Sequence, residues 1–129
     1  MKKETENWIK IANNDLKVAE TLMKEGLYLN VIEHSQAALE KLLKGLIAEQ
    51  KDIQPPKIHD LLRLASLALI ENIQVDTQKT LDELNDLYLS TRYSGDFDKL
   101  VKVLHKEKVE ELFNKSKEVF QWIQKKISG

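Results

Sequence analysis

Apolar residues return every three or four positions along most of the chain, the spacing of α-helices that turn one face inward. Trp8, Ile11, Ala12, Ala19, Leu22 and Met23 form the first such stripe, and Gly26 follows where a left-handed C-terminal cap would sit. A second helix is expected from about Leu29 to Gln50, with Ile32, Ser35, Leu39, Leu42, Leu43 and Leu46 on one face and Glu33, Lys41 and Lys44 turned away. It stops before Pro55-Pro56, which cannot continue a helix. From near Ile58, the residues Leu61, Leu62, Leu64, Ala65, Leu67, Ala68 and Leu69 make a short helix that is apolar on nearly every side. An element covered by its neighbours reads that way, so a central position is expected for it. Asp76 or Thr77 supplies an N-cap for a fourth helix bearing Leu81, Leu84, Leu87 and Tyr88, which runs out at Ser94-Gly95. The last helix, from about Lys106, aligns Val109, Leu112, Phe113, Ser116, Phe120, Ile123 and Ile127, while Trp122 points elsewhere. No strand-like alternation, internal repeat or low-complexity tract competes. The expectation is one all-α domain over residues 1–129, an antiparallel up-and-down bundle of four main helices plus a short additional helix.

Length and composition support that reading. A chain of 129 residues can bury a continuous core without disulfide or metal staples. With 42% hydrophobic and 32% charged residues it has the balance of a globular protein with a charged helical surface. Its 20 Lys+Arg against 21 Asp+Glu create no global field that would gather phosphate backbones, so any nucleic-acid site must be a local patch. The absence of cysteine removes disulfides, thiol nucleophiles and thiolate metal sites together and suits a reducing cytoplasm. Met1-Lys2-Lys3-Glu4 leads into mixed charge without the apolar core of a signal peptide. The longest apolar run, Leu67 to Ile70, cannot span a bilayer. A cytoplasmic protein with no membrane association is expected.

Asp15 is the first polar anomaly, since on a helical wheel it falls among Trp8, Ala12, Ala19 and Leu22, on the face that should be buried. An ionised, unpaired carboxylate there would cost several kcal/mol, so a partner must reach it from another helix, with His59, Arg63 and Arg92 as candidates. A structural buried bond is preferred to a catalytic acid. At the end of the fourth helix Asn85, Tyr88 and Arg92 line up at helical steps, with Tyr93 next. Guanidinium groups match phosphate oxygens and aromatic rings stack on bases, so this cluster is a candidate ligand site; an ordinary helix C-terminus, where a cation favours the dipole, is the structural alternative. On the second helix Gln36, Glu40 and Lys44 form a polar line along the shoulder of the buried stripe that could approach Arg92. Taken alone, Glu40 and Lys44 read as a solvated ion pair. His34, His59 and His105 lack metal-site spacing, and no phosphate-cradling glycine loop or nucleophile motif is present. Neither a metal nor another cofactor is expected.

Together these residues resemble the HEPN family (higher eukaryotes and prokaryotes nucleotide-binding domain) from about Trp8 to Ile127. The resemblance rests on Trp8 through Ala19, with the spacing of Ala12, Asp15-Leu16 and Ala19, and on the run Ser35-Gln36-Ala37-Ala38-Leu39-Glu40-Lys41-Leu42-Leu43-Lys44-Gly45. It rests also on Ile58-His59-Asp60-Leu61-Leu62, followed later by Leu84-Asn85 and Ser90-Thr91-Arg92-Tyr93. What it implies is a helical bundle that usually dimerises and is often encoded beside a minimal nucleotidyltransferase as a toxin–antitoxin pair. Some members cleave RNA without metal, and those carry an Arg followed four to six residues later by a His. Arg92 matches that Arg, but Tyr93-Ser94-Gly95-Asp96-Phe97-Asp98-Lys99 contains no His, and His105 is too far along. The expected function is therefore a noncatalytic nucleotide- or RNA-binding module that forms a homodimer and partners a minimal nucleotidyltransferase. Its expected ligand residues are Arg92, Tyr93, Asn85, Tyr88, Glu40 and Lys44, with Asp15 and His59 as buried polar groups. The first alternative is a metal-independent ribonuclease whose His is displaced, and a His close to Arg92 would favour it; a purely structural self-associating domain is the second.

Overall fold

A computed structural model describes residues 1–68 and 70–129. Six helices follow one another: α1 (Lys3–Glu25), α2 (Tyr28–Gln50), α3 (Leu61–Leu67), α4 (Val75–Tyr93), α5 (Phe97–Val103) and α6 (Lys106–Ser128). No strand occurs among the described residues. The all-α bundle expected from the sequence is therefore present, with four long helices and two short ones in place of one.

The α1–α2 hairpin is fixed locally. Gly26 takes the left-handed conformation (φ 75°), and its N–H reaches the carbonyls of Leu22 and Met23 that α1 leaves open. With only Gly26 and Leu27 between them, α1 and α2 are antiparallel neighbours. They approach closely where Gly45 faces Trp8, since a Cβ on Gly45 would stand 3.1 Å from the Trp8 Cβ. The far end is latched by Lys2, whose Nζ donates to the carbonyls of Ala48 and Lys51 and to Asp52 Oδ1 at 3.0, 3.2 and 2.9 Å. Those carbonyls belong to the end of α2, where no further turn supplies a donor.

The central element is α2, not α3 as its apolar composition suggested. Val31, Ile32, Ala38, Leu39, Leu42, Leu43, Leu46 and Ile47 are all buried, and α2 touches every other helix. The α3 helix is a seven-residue element set against α2 and α4. It begins at Leu61 because Asp60 is its N-cap, accepting from the amides of Leu62 and Arg63, so Ile58 and His59 stay in the preceding loop. Leu69, assigned to this helix from the sequence, lies outside the described residues. The start of α4 also differs: Gln74 is the N-cap without a side-chain bond, while Asp76 sits in the first turn, where its charge favours the helix dipole. The α5 helix was not anticipated. Asp96 caps it by accepting from Lys99 N at 3.0 Å, and Leu100 and Leu104 tuck into the bundle. Trp122, off the main stripe of α6, is nevertheless half-buried against the core and lies beneath Lys126 Nζ at 4.6 Å.

Candidate functional site

The buried stripe of α2 carries a polar line on its shoulder, and the structure turns that line inward. Gln36 is fully buried, and Glu40 and Lys44 are 3% and 7% exposed. Lys44 Nζ donates to Glu40 Oε2 at 2.9 Å, so the expected solvated pair is a buried one. Its inward turn follows from burial of α2 on nearly all sides, which leaves no solvent face for position 44; the amine instead lies 5.9 Å from the Trp8 ring of α1. Burial alone would raise the Glu40 pKa. Hydrogen bonds from His59 and Lys44, with the charges of Lys41 and Lys44, outweigh it and hold the carboxyl below its ordinary value of 4.5. Glu40 is thus an anion at neutral pH.

Two α2 side chains one turn apart grip the loop before α3 at a single residue. Gln36 Nε2 donates to the backbone carbonyl of His59 at 2.6 Å, and Glu40 Oε1 accepts from His59 Nδ1 at 2.7 Å. An ionised carboxylate can only accept, so the His59 proton is fixed on Nδ1. The rest of the imidazole is open, the side chain being 61% exposed, so His59 is not the buried polar group expected from the sequence: it sits in the loop before α3 and only its Nδ1 edge turns inward. Opposite it stands α4. The Tyr88 ring lies 5.9 Å from that of His59, inclined at 49°, and the Arg92 guanidinium covers Tyr88 at 5.3 Å from the ring centre. Burial pushes the Tyr88 hydroxyl up from its ordinary pKa against the opposing pull of Arg92, so the phenol stays protonated. Arg92 itself is exposed, with no carboxylate in ion-pair reach among the described residues.

These groups border a cleft of about 290 Å³ between α1, α2 and α4, whose walls include Arg92, Tyr88, His59, Glu40, Lys41 and His34. Asp15 lies on the same cleft. It is only partly buried, and its partner is His34 of α2, with Nδ1 to Oδ1 at 3.1 Å, in place of His59, Arg63 or Arg92. The hairpin sets α2 directly against α1, which places His34 beside Asp15. Asn85 is otherwise engaged: its Oδ1 accepts from Leu61 N and its Nδ2 donates to Asp60 Oδ1, each at 2.9 Å, so both amide atoms secure the start of α3. Tyr93 is 78% exposed and is not among the cleft walls. His105 caps α6, accepting from Lys108 N, well away from these residues in role and element. No group of three or more His, Asp or Glu side chains suited to a metal ion occurs among the described residues.

The grip on His59 was not visible in the sequence. His59 stood out as a candidate partner for Asp15, within the run Ile58-His59-Asp60-Leu61-Leu62 and as one of three histidines, but not as a partner of Gln36 and Glu40, which precede it by 23 and 19 positions with no local periodicity to link them. The available signal was the line of polar residues along an otherwise apolar helix, which always asks for partners.

The bundle has counterparts among known proteins. The family model of the HEPN domain matches residues 5–127. The chain belongs to the HEPN family. Two solved structures share the fold of this HEPN protein. ST0689, described as an archaeal HEPN homologue, is 24% identical with a TM-score of 0.77, and the match covers 98% of this chain and 99% of that one. TT1696 from Thermus thermophilus is 22% identical with a TM-score of 0.81, covering 97% and 99% of the two chains. No curated protein matches the chain. Among the described residues no helix is long and apolar enough to cross a membrane.

Proposed function

We propose that this HEPN protein is a noncatalytic module that holds a nucleotide or RNA phosphate in the cleft between α1, α2 and α4. The observation that carries the reading is Arg92: an exposed guanidinium laid over Tyr88 at a cleft wall, with no carboxylate in reach among the described residues. Packing on the ring restrains the fork and leaves its outward N–H groups for an anion. In a chain of net charge −1, such a local cation is what a phosphate ligand requires. Titration with uridine 5′-monophosphate and with a short single-stranded RNA, comparing wild type with Arg92→Ala, tests it. Binding that weakens at least tenfold in the variant, with an unchanged far-ultraviolet spectrum, is the expected result; equal affinity removes Arg92 from the site.

The same reading includes a homodimer and a minimal nucleotidyltransferase as partner. Its physical motive is the apolar surface at the end of α4 and the start of α5, where Leu89, Tyr93 and Phe97 are 51%, 78% and 66% exposed. A two-fold contact there would bring two copies of Arg92 towards one another and concentrate positive charge. Light scattering at micromolar concentration distinguishes dimer from monomer. Co-expression with a nucleotidyltransferase encoded next to this chain tests the second partner.

One observation favours metal-independent RNA cleavage as a second reading. Although no His follows Arg92 at the ribonuclease spacing, His59 reaches the Arg92–Tyr88 wall from another segment, with a bare Nε2 when neutral. That nitrogen could take the proton of a 2′-hydroxyl whose oxygen attacks the neighbouring phosphorus and displaces the 5′-oxygen of the next nucleotide, which takes a proton from water and leaves a 2′,3′-cyclic phosphate, while Arg92 offsets the growing charge. RNA cleavage in chelator that disappears in His59→Ala would establish this reading over the first.

A further inference from the structure

His59 divides two cavities. Together with Tyr88 it walls both the Arg92 cleft and a second hollow of about 260 Å³, lined by Asp60, Leu62, Asp82, Asn85, Asp86 and Leu89. An imidazole whose task was only to satisfy the Glu40 carboxylate would need no open edge, yet this one is bonded at 2.7 Å on Nδ1 and is 61% exposed. The bond to Nδ1 and the bond from Gln36 to the His59 carbonyl restrain side chain and backbone together. A loop residue is thereby fixed in one tautomer and one direction. We propose that His59 is a second anion-binding residue of the cleft, donating from Nε2 to the phosphate that Arg92 holds, with Glu40 and Gln36 as its positioning residues; the proposal rests on the phosphate-binding reading above.

Nε2 donates only from a ring that carries both protons, so on this proposal affinity at the cleft depends on pH. The charged groups that face the ring come from two helices. From α2, Glu40 is in contact with Nδ1, and Lys41 and Lys44 are both bonded to Glu40. From α4, Arg92 stands across Tyr88, and Asp82 and Asp86 line the second hollow. Asp60 is the next residue in the chain, and Asp15, Glu33 and His34 stand farther along the cleft wall. An arriving phosphate adds negative charge on the Nε2 side and draws the proton on. A neutral His59 would instead point a lone pair at the anion and repel it.

The test uses the intact chain and a 2′-O-methylated single-stranded RNA hexamer, which cannot be cleaved through its 2′-oxygen and whose diester phosphates do not titrate between pH 5.5 and 8. Affinity measured by fluorescence anisotropy should rise about tenfold from pH 8 to pH 5.5, the worth of one charge-assisted hydrogen bond. His59→Gln should flatten that profile, and His105→Gln, at the cap of α6 and away from the cleft, should leave it in place. Because His59 is exposed, its replacement does not endanger the core. Nitrogen-15 spectra of the ligand-free wild type at pH 8 give an independent reading, and the expected neutral form carries its proton on Nδ1. A flat wild-type profile, a profile that survives His59→Gln, or an Nε2–H tautomer overturns the proposal while leaving Arg92 binding intact. Absence of hexamer binding at every pH overturns the phosphate-binding reading and this proposal with it.

Discussion

Replacing Glu40 by alanine should destabilise the protein far more than removal of a surface carboxylate would. Glu40 is 3% exposed and receives bonds from Lys44 at 2.9 Å and His59 at 2.7 Å. Without it the Lys44 amine, 8% exposed at the side chain, has no other carboxylate in ion-pair reach among the described residues. Breaking a buried pair by removing one partner costs about 3–5 kcal/mol, because the remaining charge stays desolvated. His59, being largely exposed, can turn to water and adds little to that figure. For a chain of this size, about 3–4 °C of melting temperature is lost per kcal/mol, so a fall of about 9–20 °C is expected. The pair itself is not expected to be worth as much as its rupture costs. Glu40→Leu combined with Lys44→Met should return to within about 2 kcal/mol of wild type, since apolar groups of similar volume then replace both charges. Urea unfolding followed by far-ultraviolet circular dichroism measures both. A single variant that loses less than about 1 kcal/mol, or a double variant no better than the single, would refute the buried-pair reasoning.

Glu40 also sets an acid limit. Its folded-state pKa lies below the ordinary 4.5, so its contribution is fully present above that pH and is lost as pH falls through the lower folded value; the stability gap between wild type and Glu40→Gln, read in urea, should narrow below pH 4.5. Gly45→Leu should cost about 1–3 kcal/mol by forcing α1 from α2, because even a Cβ at this position stands 3.1 Å from Trp8 Cβ; a thermal melt unchanged within error would contradict the close approach. Helicity measured by circular dichroism should be identical with and without chelator, since the core consists of apolar side chains; a lost helical signal would point to a structural metal.

Most of the fold was legible because long amphipathic helices advertise themselves by period. The stripe of α6, the cap at Gly26 and the end of α4 at Ser94 all stand where local chemistry puts them. What escaped was short or non-local. With Leu100 as its one buried residue, the seven-residue α5 repeats too little to register as a period. The apolar surplus of α3 pointed to a centre that α2 occupies, because composition measures how much of a helix is covered and not by how many neighbours. In the site, Arg92 and Tyr88 could be paired from their four-residue step on one helix. Glu40 with His59, and Asp15 with His34, could not, because each pair joins elements whose relative placement only packing decides.

The central claim is that a phosphate-bearing ligand occupies the cleft at Arg92, and chemical-shift mapping tests it most directly. Nitrogen-15-labelled protein titrated with a single-stranded RNA hexamer should show its largest changes at Arg92, Tyr88 and His59, including the Arg92 Nε–H, all within one saturating transition. Changes centred instead on the groove at the far end of the bundle, where Leu46, Trp122 and Lys126 meet, or no changes at all, would contradict the account.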